Sequence, residues 1–155
     1  IAKLREMGVV IEERDDQLYI PKAEKLKAVD IKTLVYPGFP TDLQPQMGVA
    51  LATAEGTSII TESIWESRFQ YTEELNKMGA KISAHGKTAV FDGVENLVGA
   101  PVYASDLRAG AALIIAGICA EGKTEVYNIH HIDRGYENIE DKFRKLGAKI
   151  ERVVE

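Results

Sequence analysis

Hydrophobic residues recur at helical spacing along some stretches of this chain and alternate with polar residues along others. The order of these stretches repeats. Three segments share one pattern, in which a basic helix end is followed by glycine and then by an alternating run: LREMGVVIEE, LNKMGAKISA and FRKLGAKIER. Glycine just past a helix adopts the left-handed backbone that ends it, so Gly8, Gly79 and Gly147 mark helix ends. The alternation that follows each glycine predicts a strand.

Further matches indicate that a whole structural unit is repeated. The segment ATAEGTSIITES is similar to GICAEGKTEVYNI, PTDLQ matches ASDLR at Asp42 and Asp106, and ESRFQY matches IDRGYE at Arg68 and Arg134. Agreement in both order and residue type indicates an internal repeat, which has to be recognised before the fold can be predicted.

The repeating unit is predicted to be strand, helix, strand, helix, strand, strand, in an α/β (α+β) fold. Its first complete copy covers residues 31–93. A second copy runs over residues 98–155 and is cut short after the expected strand AKIERVV, while residues 1–20 form the tail of an earlier copy. Because a unit of this size has a thin core by itself, the copies are expected to pack together as one partial domain of a longer protein.

The helices differ in how far their apolar faces extend, which predicts how the units pack. The segment DLRAGAALIIAGICAEG is apolar nearly all round and is expected to be buried, with Cys119 as a small core residue. The second helix of the later unit is amphipathic, and its apolar stripe consists of Tyr136, Ile139, Phe143 and Leu146. These patterns predict helices inside and sheets outside.

The composition of the chain argues against some classes of binding partner. The chain has 155 residues, of which 45% are hydrophobic and 28% charged, and its net charge of −5 argues against a nucleic-acid partner. No apolar run is long enough to span a membrane and no signal-peptide pattern is present, so no membrane partner is expected. A single cysteine cannot form an internal disulfide, which favours a cytoplasmic protein.

Asp42 and Asp106 occupy matching positions at helix starts, and two interpretations are open. Pro45 is tolerated only in the first turn of a helix, which places the helix start near Asp42 or Gln44. Asp is a favoured N-cap, so both residues are candidate caps. If the two helix starts instead share one cleft, the carboxylates could accept a proton from a substrate hydroxyl.

Arg68, Arg108 and Arg134 are candidate ligands for an anion. A cation near a helix N-terminus is unfavourable by about 0.3–1 kcal/mol at exposed sites, yet both units carry an arginine at the matching position. Arginine binds carboxylate and phosphate through two parallel hydrogen bonds, which favours an anionic ligand. The alternative is an ordinary salt bridge, for which Glu62 and Glu66 lie close to Arg68 in sequence.

Other residue types are less informative. Trp65 is equally compatible with a core position and with the wall of a pocket. His130 and His131 are adjacent, so their side chains point in different directions, and no Cys or His lies at a ligand spacing from them. No metal site is therefore expected.

Taken in order, YPGFPTDLQPQ, ESRF, SDLRAGAALIIAG, AEGKTEV and HIDRGYENIEDKFRKLGAKIERV resemble the C-terminal part of the UDP-N-acetylglucosamine 1-carboxyvinyltransferases, a family of enolpyruvyl transferases. The resemblance covers essentially the whole chain. It implies two domains, each made of three units around a pseudo-threefold axis. It also implies transfer of the enolpyruvyl group of phosphoenolpyruvate to the 3-hydroxyl of UDP-N-acetylglucosamine, with release of phosphate and no metal or organic cofactor, as the first committed step of bacterial peptidoglycan synthesis.

The resemblance also implies roles for the acids and for the residues that follow the strand of the first unit. Asp42 matches the aspartate that contacts the sugar 3-hydroxyl and is the proposed proton acceptor. Asp106 matches a second aspartate of the cleft, with a role in proton handling or in placing Arg108. Ile64 matches a residue whose backbone contacts the UDP-sugar, and Trp65 stands where an aromatic residue is usual.

The arginines complete this set, and the departures from the family limit it. Arg108 and Arg134 match arginines that hold phosphoenolpyruvate, chiefly its carboxylate, and Arg68 matches an arginine at the same cleft. The reactive cysteine of the family lies in the other domain with most uridine contacts, and Cys119 does not match it. The other domain is therefore an expected partner, and these 155 residues alone are expected to be inactive.

Two alternatives remain at this point. One is the sister enolpyruvyl transferase of the shikimate pathway, which has the same unit and chemistry but another acceptor. The other is a non-catalytic, anion-binding repeat domain in which Asp42 and Asp106 serve only as helix caps.

Overall fold

A computed structural model describes residues 1–153 of the chain. The helices are α1 (Ala2–Glu6), α2 (Gln44–Ala52), α3 (Tyr71–Lys77), α4 (Leu107–Cys119), α5 (His130–Asp133) and α6 (Ile139–Lys145), with a 3-10 helix over Thr41–Leu43. The strands are β1 (Glu12–Arg14), β2 (Gln17–Tyr19), β3 (Ile31–Lys32), β4 (Thr57–Thr61), β5 (Lys81–His85), β6 (Thr88–Asp92), β7 (Pro101–Tyr103) and β8 (Glu125–Tyr127).

The first unit has the expected order of elements, strand, helix, strand, helix, strand, strand. Its four strands form a sheet in the order β3-β4-β6-β5, in which β3 is parallel to β4 and the other pairs are antiparallel. Alternation along β4 places Ser58 and Ile60 inside the protein, and alternation along β6 places Ala89 and Phe91 there. Gly8, Gly79 and Gly147 all have positive φ at the ends of helices, as expected.

Two central helices form the interior of the molecule. Helices α2 and α4 pack against each other, and both contribute residues to the main hydrophobic core. Most of α4 from Ala109 to Ala116 is buried, in agreement with its apolar sequence. The sheet of the first unit covers these helices through residues such as Ile60 and Phe91, so helices lie inside and the sheet outside.

The second unit departs from the expectation at its end. Strands β7 and β8 pair in parallel, but the residues expected to form the strand AKIERVV have no strand structure over 148–153, and Val154 lies outside the described residues. In the first unit the matching strand β5 pairs only with β6. No counterpart of β6 follows within the described part of the chain, so this segment has no strand with which to pair.

Two core assignments are wrong for related reasons. Leu146 is 81% exposed and lies just past the end of α6, whereas Ile139 at the start of the same helix is buried. Cys119 is exposed because it is the last residue of α4, beyond the last buried position at Ala116. Among the helices of the described residues, none combines the length and the apolar character that a membrane crossing requires.

The contact between α2 and α3 depends on a glycine. A Cβ atom on Gly48 would lie 2.4 Å from the hydroxyl oxygen of Tyr71, whose side chain is buried. Alanine is favoured over glycine in a helix by about 1 kcal/mol. Overpacking a close contact costs about 1–3 kcal/mol, and the buried ring has little room to move. The packing of the Tyr71 ring against α2 therefore requires glycine at this position.

We expect Gly48→Ala to lower the midpoint of thermal unfolding, because the steric cost exceeds the gain in helix propensity. The Tyr71 hydroxyl has no hydrogen-bond partner among the described residues, so Tyr71→Phe alone should have little effect. The double variant should recover part of the loss, since the closest contact is removed. Circular dichroism provides the measurement, and a Gly48→Ala protein as stable as the parent would contradict this packing.

Candidate functional site

An open hollow lies where the two units meet, and it contains most of the predicted site residues. Its volume is about 530 Å³. One wall is the segment that connects β4 to α3, and the other is the first turn of α4. The residues that line it are Ile64, Trp65, Glu66, Ser67, Arg68, Asp106 and Arg108.

Asp42 joins the two walls of this hollow. Its Oδ1 atom accepts a hydrogen bond from Arg108 Nε at 2.5 Å and another from Arg68 Nη1 at 3.0 Å. The Asp42 side chain is 60% exposed, whereas that of Arg68 is 12% exposed. Among the described residues nothing donates to the second carboxylate oxygen, Oδ2, so this atom is open to a ligand.

The two matching aspartates have different local roles. Asp106 is the N-cap of α4, and its Oδ1 accepts from the backbone N–H groups of Arg108 and Ala109. Asp42 does not cap α2, which begins at Gln44 without any side-chain cap. The reason is the connection from β3, which is longer than the one from β7 and inserts the 3-10 helix before α2. The sequence match between the two residues therefore hides a structural difference.

The ion pairs determine the charge state of the site. The hydrogen bond from Arg108, followed by that from Arg68, outweighs partial burial and lowers the pKa of Asp42 below its ordinary value. The same pair raises the pKa of Arg108. Because the pKa of Asp42 is lowered by folding, the stabilisation is present above its unfolded value and is lost as the pH falls through the folded value. An aspartate is ionised at neutral pH even at its ordinary pKa, and the arginines keep Asp42 ionised further into acid.

Trp65 is part of the wall of the hollow and not of the core. It is 54% exposed, and the guanidinium carbon of Arg68 lies 5.2 Å from the centre of its ring. A cation over an aromatic face is attracted to it, and the ring shields one side of the guanidinium group from water. Arg68 is thus held by Trp65 on one side and by Asp42 on another.

Arg134 neither lines the hollow nor pairs with Asp42. It is exposed at the end of α5, and its side chain makes no hydrogen bond or ion pair with the described residues. The next residue, Gly135, packs against Leu107 in the first turn of α4, which places Arg134 near the same end of that helix as Arg108. The described residues contain no cluster of three or more His, Cys, Asp or Glu side chains that could hold a metal ion.

Glu62 has a structural role that its sequence position alone did not predict. Its proximity to Arg68 in sequence suggested an ordinary salt bridge, but Arg68 pairs with Asp42 instead. Glu62 is 1% exposed and accepts hydrogen bonds from Thr33 and Thr41, residues of two other segments. Its burial could have been predicted from its position directly after β4. Side chains alternate between the two faces of a strand, so Glu62 falls on the same inward-facing side as Ser58 and Ile60.

Comparison with known proteins places this geometry in a family. The family model described as EPSP synthase (3-phosphoshikimate 1-carboxyvinyltransferase) matches residues 1–143. UDP-N-acetylglucosamine 1-carboxyvinyltransferase 3 of Caldanaerobacter subterraneus subsp. tengcongensis is 59% identical over the whole chain, which spans 37% of that relative. UDP-N-acetylglucosamine 1-carboxyvinyltransferase 2 of Shouchella clausii is 57% identical over 97% of this chain, and the match spans 35% of that relative.

Solved structures agree with this assignment. The enolpyruvyl transferase NikO from Streptomyces tendae is 32% identical, with a TM-score of 0.87 over 96% of this chain and 34% of its own. The EPSP synthase from Acinetobacter baumannii, at 19% identity and a TM-score of 0.56, shares the fold over 86% of this chain and 34% of its own. The expected enolpyruvyl transferase-like fold is thus confirmed. The family match over residues 1–143, with relatives more than half identical along the chain, shows that this chain belongs to the EPSP synthase (3-phosphoshikimate 1-carboxyvinyltransferase) family of enolpyruvyl transferases.

Proposed function

We propose that this chain is part of a transferase that moves the enolpyruvyl group of phosphoenolpyruvate to the 3-hydroxyl of UDP-N-acetylglucosamine and releases phosphate. Relatives 53–59% identical to the chain are named for a UDP-N-acetylglucosamine carboxyvinyltransferase reaction. The observation in the structure that supports this function best is the carboxylate of Asp42 between Arg68 and Arg108 at an open hollow. Both substrates are anions, which suits this concentration of arginines.

Asp42 is proposed to accept the proton of the sugar hydroxyl. The hydroxyl oxygen then forms a bond to C2 of phosphoenolpyruvate while C3 receives a proton from an acid outside this chain, which gives a tetrahedral intermediate. Loss of the proton from C3 and of phosphate from C2 restores the double bond. The exposed Oδ2 atom of Asp42 is the atom available for the first proton transfer.

Arg108 and Arg134 are proposed to hold the carboxylate of phosphoenolpyruvate, with Arg68 at the same cleft. In the described state Arg108 donates to Asp42, whereas Arg134 has no partner among the described side chains. A substrate carboxylate that takes over the Arg108 guanidinium removes the largest influence that lowers the pKa of Asp42. Asp42 then becomes a stronger base at the moment when the hydroxyl proton has to be removed.

The other predicted residues support these groups. Asp106 caps α4 and bonds the backbone N–H of Arg108, which suits a role in placing that arginine. Ile64 and Trp65 line the hollow and are partly exposed, as contacts to a UDP-sugar require. No step assigned to the residues of this chain requires a metal ion or an organic cofactor.

The setting of the proposed reaction is bacterial peptidoglycan synthesis, and with it cell-wall formation, cell shape and division. The substrates are cytoplasmic metabolites, so the enzyme is proposed to be cytoplasmic, without nucleic-acid or membrane partners. The chain spans only 35–37% of the first relatives, and the remainder of the enzyme is its proposed partner in catalysis. The shikimate-pathway acceptor is less well supported, because the EPSP synthase likeness at 19% identity concerns the fold alone.

The test uses a full-length enzyme, meaning a protein of the relatives' length that carries these 155 residues. The Caldanaerobacter relative with its matching segment replaced by this chain is a suitable example. We expect phosphate release from phosphoenolpyruvate with UDP-N-acetylglucosamine and not with shikimate 3-phosphate. Asp42→Asn should lower kcat by about 10²- to 10⁴-fold, because a general base contributes that much.

A matched control separates base catalysis from the loss of an ion pair. Asp141 pairs with Arg144 at 2.6 Å on the exposed face of α6, outside the hollow. Asp141→Asn removes an Asp–Arg pair of the same type and should change kcat by less than about twofold, since exposed pairs contribute little. An Asp42→Asn enzyme that remains folded and turns over like the parent would contradict the proposed role.

The coupling between Asp42 and Arg108 predicts a shift in titration. In Arg108→Gln the first cause of the lowered pKa is absent, so the pKa of Asp42 should rise toward the ordinary aspartate value of about 3.9. Carbon-13 NMR of labelled aspartate carboxyl groups measures this, and Asp42→Asn identifies the resonance. An unchanged or lower pKa in Arg108→Gln would show that Arg108 does not control the charge of Asp42.

A further inference from the structure

Glu62 is a buried carboxylate with no cationic partner. It follows the last residue of β4, is 1% exposed, and forms no ion pair with any Lys, Arg or His of the described residues. Burying a carboxylate without compensation is strongly unfavourable. The hydrogen bonds of Glu62 must therefore provide the stabilisation that a cation would otherwise provide. The identity of those donors indicates what the residue does.

Four hydrogen bonds converge on the two oxygens of Glu62. Oε1 accepts from the hydroxyl of Thr33 at 2.6 Å and from the backbone N–H groups of Ile64 at 2.9 Å and Trp65 at 3.2 Å. Oε2 accepts from the hydroxyl of Thr41 at 2.9 Å. Burial by itself raises the pKa of Glu62, but these bonds outweigh it and leave the pKa below its ordinary value. The group is thus an ionised acceptor for all four donors.

These donors belong to three segments that form the site. Thr41 is adjacent to Asp42 and begins the 3-10 helix that carries it. Trp65 belongs to the wall that also holds Arg68. Thr33 follows β3 and bonds back to the sheet through its N–H and the carbonyl of Thr61. The carboxylate of Glu62 therefore links the segment that carries Asp42, the wall that holds Arg68 and the sheet.

The second unit forms the corresponding parallel strand pair without this network. In the first unit the N–H of Thr33 donates to the carbonyl of Thr61, and in the second unit the N–H of Ala104 donates to the carbonyl of Tyr127. Ala104 therefore occupies the position that matches Thr33. When the Ala-Glu-Gly turns before β4 and β8 are aligned, Asn128 occupies the position in the second unit that Glu62 occupies in the first. This unit has no buried carboxylate at that position. The network is confined to the unit in which the aspartate does not cap its helix.

We propose that Glu62 is a positioning residue for the transfer reaction, which holds Asp42 through Thr41 and the Arg68 wall through the backbone of Ile64 and Trp65. This inference rests on the proposed function. Asp42 has no cap interaction with α2, and its bonds to Arg68 and Arg108 join it to side chains that are proposed to bind substrate. The bond between Thr41 and Glu62 therefore constrains the backbone that carries Asp42. Small displacements of a catalytic group reduce turnover much more than they reduce folding.

The experiment removes that single bond in the full-length enzyme. Thr41→Val keeps the shape of the side chain and deletes the hydroxyl, and we expect kcat to fall by tenfold or more. The KM values for both substrates should change by less than about threefold, since Thr41 itself does not line the hollow. Thr41→Ser restores the hydroxyl and should return kcat to within about threefold of the parent.

A matched control uses another threonine–carboxylate bond of the same sheet. Thr57 lies at the opposite end of β4 from Glu62 and donates to Asp92 at 2.7 Å. Thr57→Val should leave kcat within about threefold of the parent. A fall of less than tenfold in folded Thr41→Val, or an equal fall in Thr57→Val, overturns the positioning role. If Thr41→Val does not fold, Thr41→Ala is judged by the same limits, and circular dichroism verifies folding.

The same assay distinguishes failure of this inference from failure of the proposed function. If the parent enzyme releases no phosphate with UDP-N-acetylglucosamine, the proposed function itself is wrong. If Asp42→Asn keeps full turnover, the reaction stands but Asp42 is not the proton acceptor, and the positioning role falls with it. If Asp42→Asn loses turnover while Thr41→Val retains it, the function stands and only the role of Glu62 is wrong. Loss in both, with recovery in Thr41→Ser, supports the two proposals together.

Discussion

The site depends on one carboxylate oxygen that is shared by two arginines from different segments. Asp42 Oδ1 accepts from Arg68, which follows β4, and from Arg108, which lies in the first turn of α4. The three residues come from both repeated units, so the charge pair exists only when the units pack against each other. The packing of α2 on α4 in the core is what brings them together. The packing of the two units therefore completes the site.

The repeat accounts for the architecture, and the difference between its copies accounts for the chemistry. Asp106 follows a short connection and caps α4, whereas the longer connection before Asp42 frees its carboxylate from the helix. An uncapped acid is available to a substrate but has to be held in another way. The buried carboxylate of Glu62 and the bond that it accepts from Thr41 occur in that unit alone within the described residues, since Ser105, which matches Thr41, donates to Asp106 instead. The two units are thus similar scaffolds, of which one carries a carboxylate that pairs with arginines instead of capping its helix.

Much of the fold follows from local signals in the sequence, and the site does so only in part. Helix ends at Gly79 and Gly147 and the apolar character of α4 are encoded in a few neighbouring residues, so they can be predicted. A strand over 148–153 requires a partner strand, whose presence local patterns do not reveal. Glu62 was missed because burial of a glutamate requires donors from distant segments. Tertiary contacts decide such cases.

The most direct test of the central claim is a double-mutant cycle between Asp42 and Arg108 on kcat in the full-length enzyme. Groups that act as one unit give effects far from additive. The account predicts that combining Asp42→Asn with Arg108→Gln lowers kcat by no more than about threefold beyond Asp42→Asn alone. Losses that multiply, as for independent residues, would contradict the claim that the carboxylate and its arginine work as a single catalytic unit.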